Sequence, residues 1–224
     1  MNIVDLTLNI DNECMTCGTE WHERVFIKPL GRIREVGRNT HSILLGSHSG
    51  THVDAPLHFF TDTEGIDQID LKQVCGDVAI VDFSYIKQGQ YIKLENVKDV
   101  EVKKRMLFRF DWFKKWKTEE YYVQFPYFSL ESIQYLVEKG MRVMALDTPS
   151  PDDGSAITLK DDSINHKFLL SHGVTIIEYL TNTDQLKQGR QYQLFALPLK
   201  IKNCDGAPAR VIAVEKECQI EVLK

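Results

Sequence analysis

The sequence predicts an α/β (α+β) fold in a single domain covering residues 1–224, and three observations predict it. Residues 129–147 and 165–178 repeat one plan: a polar cap, a short helix, a closing glycine, then an apolar run ending on a carboxylate. Residues 192–197, 209–214 and 218–223 make the C-terminal part strand-rich. The 224 residues are 43% hydrophobic, with no internal repeat, low-complexity stretch or Pro/Gly linker, so one continuous core accommodates them.

Along the chain, residues 3–8 read as a strand. Residues 11–40 read as irregular, broken by Gly18, Pro29, Gly31 and Gly37. Ile43, Leu44 and Leu45 read as a buried strand, and residues 78–83 and 105–110 as two more. Ser129 is a good N-cap, Glu131 sits in the first turn, and Ile133, Leu136 and Val137 form an apolar stripe that Gly140 closes. Residues 142–146 then deliver Asp147. Asn165 is expected to cap a second helix through Leu169 and Leu170, Gly173 to end it, and residues 174–177 to run into Glu178. If these strands are parallel neighbours, both carboxylates point toward one sheet edge, where sites in α/β sheets gather.

Bulk charge excludes some functions. The net charge is −5, and the basic runs Lys103-Lys104-Arg105 and Lys114-Lys115 are short, so no nucleic-acid partner is expected. No apolar run reaches the 18 or so residues of a membrane span, and Met-Asn-Ile-Val-Asp lacks the features of a signal peptide. The expected location is cytoplasmic. Five cysteines, Cys14 and Cys17 among them, are expected as reduced thiols; a lone CxxC without a second pair makes a poor zinc knuckle.

The chemistry concentrates in His48-Ser-Gly-Thr-His-Val-Asp-Ala-Pro-Leu-His58, which holds three of the seven histidines and one carboxylate. That is a metal-ligand set. Two donors on one zinc come within roughly 3–4 Å of each other. A straight strand would hold His48 and His52 roughly 13 Å apart, and Gly50, Thr51, Val53 and Pro56 disfavour a helix. The segment is therefore expected to be a bent loop, with Gly50 allowing the turn and Pro56 stiffening its exit.

The order His48-x-Gly50-Thr51-His52-x-Asp54-x-Pro56-x-His58 resembles the signature of the cyclase family of metal-dependent hydrolases, which includes bacterial kynurenine formamidases (arylformamidases) and isatin hydrolases. Asp5-Leu6-Thr7, Asp147-Thr148-Pro149-Ser150, His166 with Leu169, Leu170, Gly173 and Glu178, and Asp205-Gly206-Ala207-Pro208-Ala209-Arg210 extend the resemblance over nearly the whole chain. It implies a swivelling β/β/α fold and a homodimer or homotetramer. It also implies a first metal held by His48, His52 and Asp54, with Asp54 bridging to a second held by His166 and Glu178, and His58 as acid/base. The ions implied are Zn2+, one or two, with Mn2+ the alternative, since imidazole and carboxylate serve both.

Two ions about 3.5–4 Å apart would clamp a hydroxide for attack on a carbonyl. The leading expectation is hydrolysis of an amide or lactam C–N bond, or of a lactone. The alternatives are kynurenine formamidase proper, a metal-dependent lyase or dehydratase, and a non-catalytic zinc-stabilised binding protein. His58 as a further ligand stays open. Asp147 is expected to orient a ligand histidine, Asp205 to pair with Arg210 or cap its turn, and Asp152, Asp153, Asp161 and Asp162 to be loop charges or helix caps. His22, His41 and His172 fall outside the expected site. The substrate is expected to be a small aromatic or apolar molecule, walled by Trp21, Phe59 and Phe60, with Trp112, Phe125 and Tyr127 as further aromatics in reach. The stretch Met15-Thr-Cys-Gly-Thr-Glu-Trp21 replaces the Trp- and Pro-rich motif of the arylformamidases, which ranks formylkynurenine second among substrates.

Overall fold

The computed structural model describes residues 1–156, 162–187 and 189–216. Its strands are β1 (Ile3–Asp5), β2 (Phe26–Gly31), β3 (Thr40–Leu44), β4 (His52–Asp54), β5 (Cys75–Asp82), β6 (Tyr91–Ile92), β7 (Arg105–Arg109), β8 (Tyr127–Phe128), β9 (Val143–Leu146), β10 (Thr175–Glu178), β11 (Tyr192–Pro198) and β12 (Gly206–Glu215). Its α-helices are α1 (Ile33–Val36), α2 (Leu71–Val74), α3 (Leu94–Val97), α4 (Leu130–Glu138) and α5 (Ile164–Ser171).

Strands β12, β11, β5, β7, β9, β10 and β4 pair in that order, and β4 pairs back onto β12, which closes a seven-stranded barrel. The ring closes because β4 and β1 share one edge of β12, β4 along Gly206–Pro208 and β1 along Ile212–Val214. The run β5, β7, β9, β10 is parallel and the other barrel pairings are antiparallel. Alternation along each strand then makes two cores. Val53, Leu107, Ala145, Ile177, Ala196, Ala207 and Val211 fill the barrel, and the alanines keep its interior narrow. Met106, Phe108, Met144, Leu146 and Ile176 face the other way, against Ile133 and Leu136 of α4 and Leu169 and Leu170 of α5. Each fully buried Leu or Phe there contributes about 1.5–3 kcal/mol.

Helix α4 follows from its sequence: the Ser129 hydroxyl accepts from the Ser132 amide and Gly140 leaves the helix at φ 107°. Among the described residues no helix is long and apolar enough to cross a membrane.

Several expectations need correction. Residues 11–40 are not wholly irregular, because β2 and α1 form within them. The strand at 40–44 exists but is not buried: β2 and β3 form a separate hairpin off the barrel, leaving Ile43 59% and Leu44 51% exposed. The 48–58 segment bends at Gly50, at φ 62°, but then runs as the buried strand β4 rather than continuing as a loop. Helix α5 is not capped by Asn165, which lies inside it; the Asp152 carboxylate accepts from the Asn165 and His166 amides instead. The strand expected at 218–223, like Asp161, lies outside the described residues.

Candidate metal centre

Register builds the centre. His52 lies directly opposite Glu178, and Asp54 opposite Ile176, so alternation turns His52, Asp54 and Glu178 to one face while Val53 and Ile177 enter the barrel. His166, in the first turns of α5, meets them from that face. His48 arrives from the turn before β4 and His58 from the 3-10 turn Pro56–His58 behind it. The structure thus brings together all six side chains singled out in sequence, from stretches more than a hundred residues apart.

Three of the histidines share one pattern. His52 Nδ1–H donates to the Gly50 carbonyl (2.8 Å), His166 Nδ1–H to Asp152 (2.6 Å) and His48 Nε2–H to Asp205 (2.7 Å). Each bond fixes a tautomer and aims the other ring nitrogen inward. His48 Nδ1 lies 2.9 Å from Asp54 Oδ1, His52 Nε2 3.2 Å from the same oxygen and 3.4 Å from Glu178 Oε2. His166 Nε2 lies 3.2 Å from Glu178 Oε1 and 3.5 Å from Asp54 Oδ2. Donors about 2.0–2.2 Å from a shared ion stand at such separations.

A divalent cation fits these residues. His52 Nε2, both Asp54 oxygens and Glu178 Oε1 are buried with no properly directed hydrogen bond among the described residues. Buried polar atoms left so cost about 1–3 kcal/mol each. Burial alone would lower the imidazoles, but Asp54 and Glu178 outweigh it, raising His52 to about 10 and His166 well above its usual value. Burial would likewise raise Asp54, yet His48, His166 and His52 hold it well below the carboxylate range. Such a site is short of positive charge, which a cation supplies. Asp54 is common to two close-packed sets, His48, Asp54 and His58, and His52, Asp54 and Glu178, and His166 lies 3.2 Å from Glu178 and 3.5 Å from Asp54. Gly206 is required beside them, since a Cβ there would fall 2.9 Å from His48 Cε1.

The cluster opens into a cavity of about 460 Å³ whose lining includes Trp21, Phe59, Tyr122, Tyr179, His22 and Asp205. A hollow of about 580 Å³ elsewhere, lined by Asp77, Arg105 and Tyr192, holds none of these groups. The family model described as "Putative cyclase" matches residues 4–153.

The chain belongs to the cyclase family. It is similar to a kynurenine formamidase of Bacillus cereus (strain ATCC 10987 / NRS 248), 33% identical over 178 residues that span 79% of this chain and 78% of that protein. Its fold matches an isatin hydrolase bound to the product analogue thioisatinate, with a TM-score of 0.83 and 22% identity over 96% of this chain and 92% of that one. It also matches isatin hydrolase A from Labrenzia aggregata bound to benzyl benzoate, at TM-score 0.80 and 25% identity over 95% and 93% of the two chains. The expected mixed α/β cyclase-like fold is what these likenesses share, and the chain is an enzyme of this metal-dependent hydrolase family.

Within this cyclase-family site, sequence reading misplaced several residues. Asp147 orients no histidine. Continuing the β9–β10 register sets Leu146 beside Glu178, so Asp147 falls out of phase and accepts from the Phe110 and Asp111 amides and the Thr183 hydroxyl. Asp152 takes the orienting role, fourteen residues before His166. Asp205 does not pair with Arg210, which bonds Asp5 instead; it holds His48 and lies 3.3 Å from His58 Nδ1. His22 lines the cavity, and burial with His48, His52 and His58 nearby pushes it down to about 4. Of the expected substrate walls, Trp21 and Phe59 line the cavity, whereas Phe60 packs on the helix-side core. Trp112 and Phe125 are core residues, and Tyr127 stacks on Tyr91. Cys14 is buried, and Cys17 lies against His22.

Proposed function

We propose that this cyclase-family chain hydrolyses the C–N bond of an amide or lactam, as in aryl formamides, with lactones the next class. The observation that carries the reading is the set of three histidines, each tethered by one ring nitrogen and aimed by the other at Asp54 or Glu178. His48, His52, Asp54, His166 and Glu178 would hold one or two Zn2+ or Mn2+ ions, with Asp54 shared. A cation held there would supply the Lewis acidity that polarises a carbonyl and activates water.

The chain's residues supply the rest. Asp205 holds His58 Nδ1 at 3.3 Å, which leaves Nε2 to pass a proton to the departing nitrogen. Trp21, Phe59 and Tyr122 offer flat walls for an aromatic group. Among the described lining residues none is Lys or Arg, which suits an uncharged substrate. The names of the relatives, kynurenine formamidase and isatin hydrolase, support an aryl amide or lactam.

A homodimer, or a pair of such dimers, is supported by the β2–β3 arm. It exposes Phe26, Leu30, Ile33, Val36, Ile43 and Leu44. Residues 23–44 carry Arg24, Lys28, Arg32, Arg34 and Arg38 against only Glu23 and Glu35, on a chain of net charge −5. A basic, apolar arm complements the acidic body of a second copy. A cytoplasmic location is supported by four described cysteines that are all free thiols.

The test is hydrolysis of N-formylkynurenine, isatin and small lactones by Zn- and Mn-loaded protein. Turnover of an amide or lactam, lost in EDTA with the fold retained and restored by metal, is the expected result. Inactivity toward all of them, or unfolding on chelation, overturns the reading.

A further inference from the structure

His22 enters the cavity from a short segment that also carries Cys17 and Thr19. Its Nδ1 lies 2.9 Å from the Thr19 hydroxyl oxygen and against the Cys17 sulfur. A bare ring nitrogen has one lone pair, which the Thr19 hydroxyl fills, while the Cys17 thiol donates to the Thr19 oxygen at 3.2 Å. The ring proton then sits on Nε2. That nitrogen has no hydrogen-bond partner among the described residues, and His22 lines the same cavity as His48, His58 and Tyr122. Its ring stands edge-on to His48, centroids 6.1 Å apart, yet it belongs to neither ligand set. A group fixed as a donor there cannot serve the N–H of an amide; it can serve only the oxygen.

We propose that His22 is a further catalytic residue, whose Nε2–H donates to the substrate's carbonyl oxygen as negative charge gathers there, with Thr19 and Cys17 holding the ring in that tautomer. This rests on the hydrolase reading of the site. Donors placed at a developing oxyanion act on the chemical step more than on ground-state binding.

Two measurements test it. In Zn-loaded protein labelled with 15N-histidine, two-bond proton–nitrogen correlations, assigned with His22→Gln, should show an unprotonated Nδ1 and a protonated Nε2. The opposite tautomer overturns the proposal. In kinetics on the amide or lactam that wild type hydrolyses, His22→Asn, whose amide reaches only the Nδ1 position, should lower kcat about 10- to 100-fold and change KM less than about threefold. His22→Gln, whose amide nitrogen reaches the Nε2 position, should recover kcat to within roughly fivefold of wild type, with metal content equal in all three proteins. An unimpaired His22→Asn, or equal loss in both variants, overturns it. Wild type that hydrolyses no amide or lactam defeats the reading of the whole site, which is seen before any variant is made.

Discussion

At His166 one carboxylate performs two tasks. Asp152 caps α5 through the Asn165 and His166 amides and accepts a hydrogen bond from His166 Nδ1–H at 2.6 Å. Asp152→Asn keeps the shape but weakens the acceptor, so metal affinity should fall about 10- to 100-fold, as read by competition with a chromogenic chelator. Unchanged affinity would mean that Asp152 serves the helix alone. His58 separates from the ligands in the same way: His58→Ala should keep metal content and lose turnover, whereas release of an ion would make it a ligand. The ligand residue types and their spacing were legible because they crowd into residues 48–58 or match a known order. Asp152, Asp205 and His22 were not, because isolated acids and a lone histidine acquire meaning only when distant loops converge.

At the scale of elements, Asp147 ties the end of β9 to the amides after β7 and to Thr183. Burial raises its carboxyl to about 7, against the donors that lower it. A carboxyl that holds its proton more tightly when folded than at the unfolded value of 3.8 stabilises fully below that value, and its contribution is lost as pH rises through about 7. In metal-free protein, the denaturation midpoint should therefore fall between about pH 4 and about pH 7, and the fall should shrink in Asp147→Asn. An identical fall in both proteins would contradict this. The two helix–glycine–strand units were readable because caps, closing glycines and apolar stripes are local signals. Phase was not: whether Asp147 or Leu146 stands beside Glu178 depends on the β9–β10 register. Likewise Ile43 and Leu44 announce a strand, but nothing local tells that it leaves the barrel.

For the whole molecule, barrel closure is what makes the centre. β4 pairs with β10 on one side, which sets His52 opposite Glu178, and with β12 on the other, next to the Asp205 that holds His48. Most barrel strands could be read individually, yet their order could not, since the pairing of β4 with β12 joins residues about 150 apart in sequence. The most direct test of the shared centre is isothermal titration of metal-free wild type and Asp54→Ala with Zn2+ and Mn2+, beside an amide hydrolysis assay. Wild type should bind up to two ions per chain and gain activity as they bind, while Asp54→Ala loses both ions and activity together. Tight binding that survives in Asp54→Ala, or wild type that binds no ion, would contradict it.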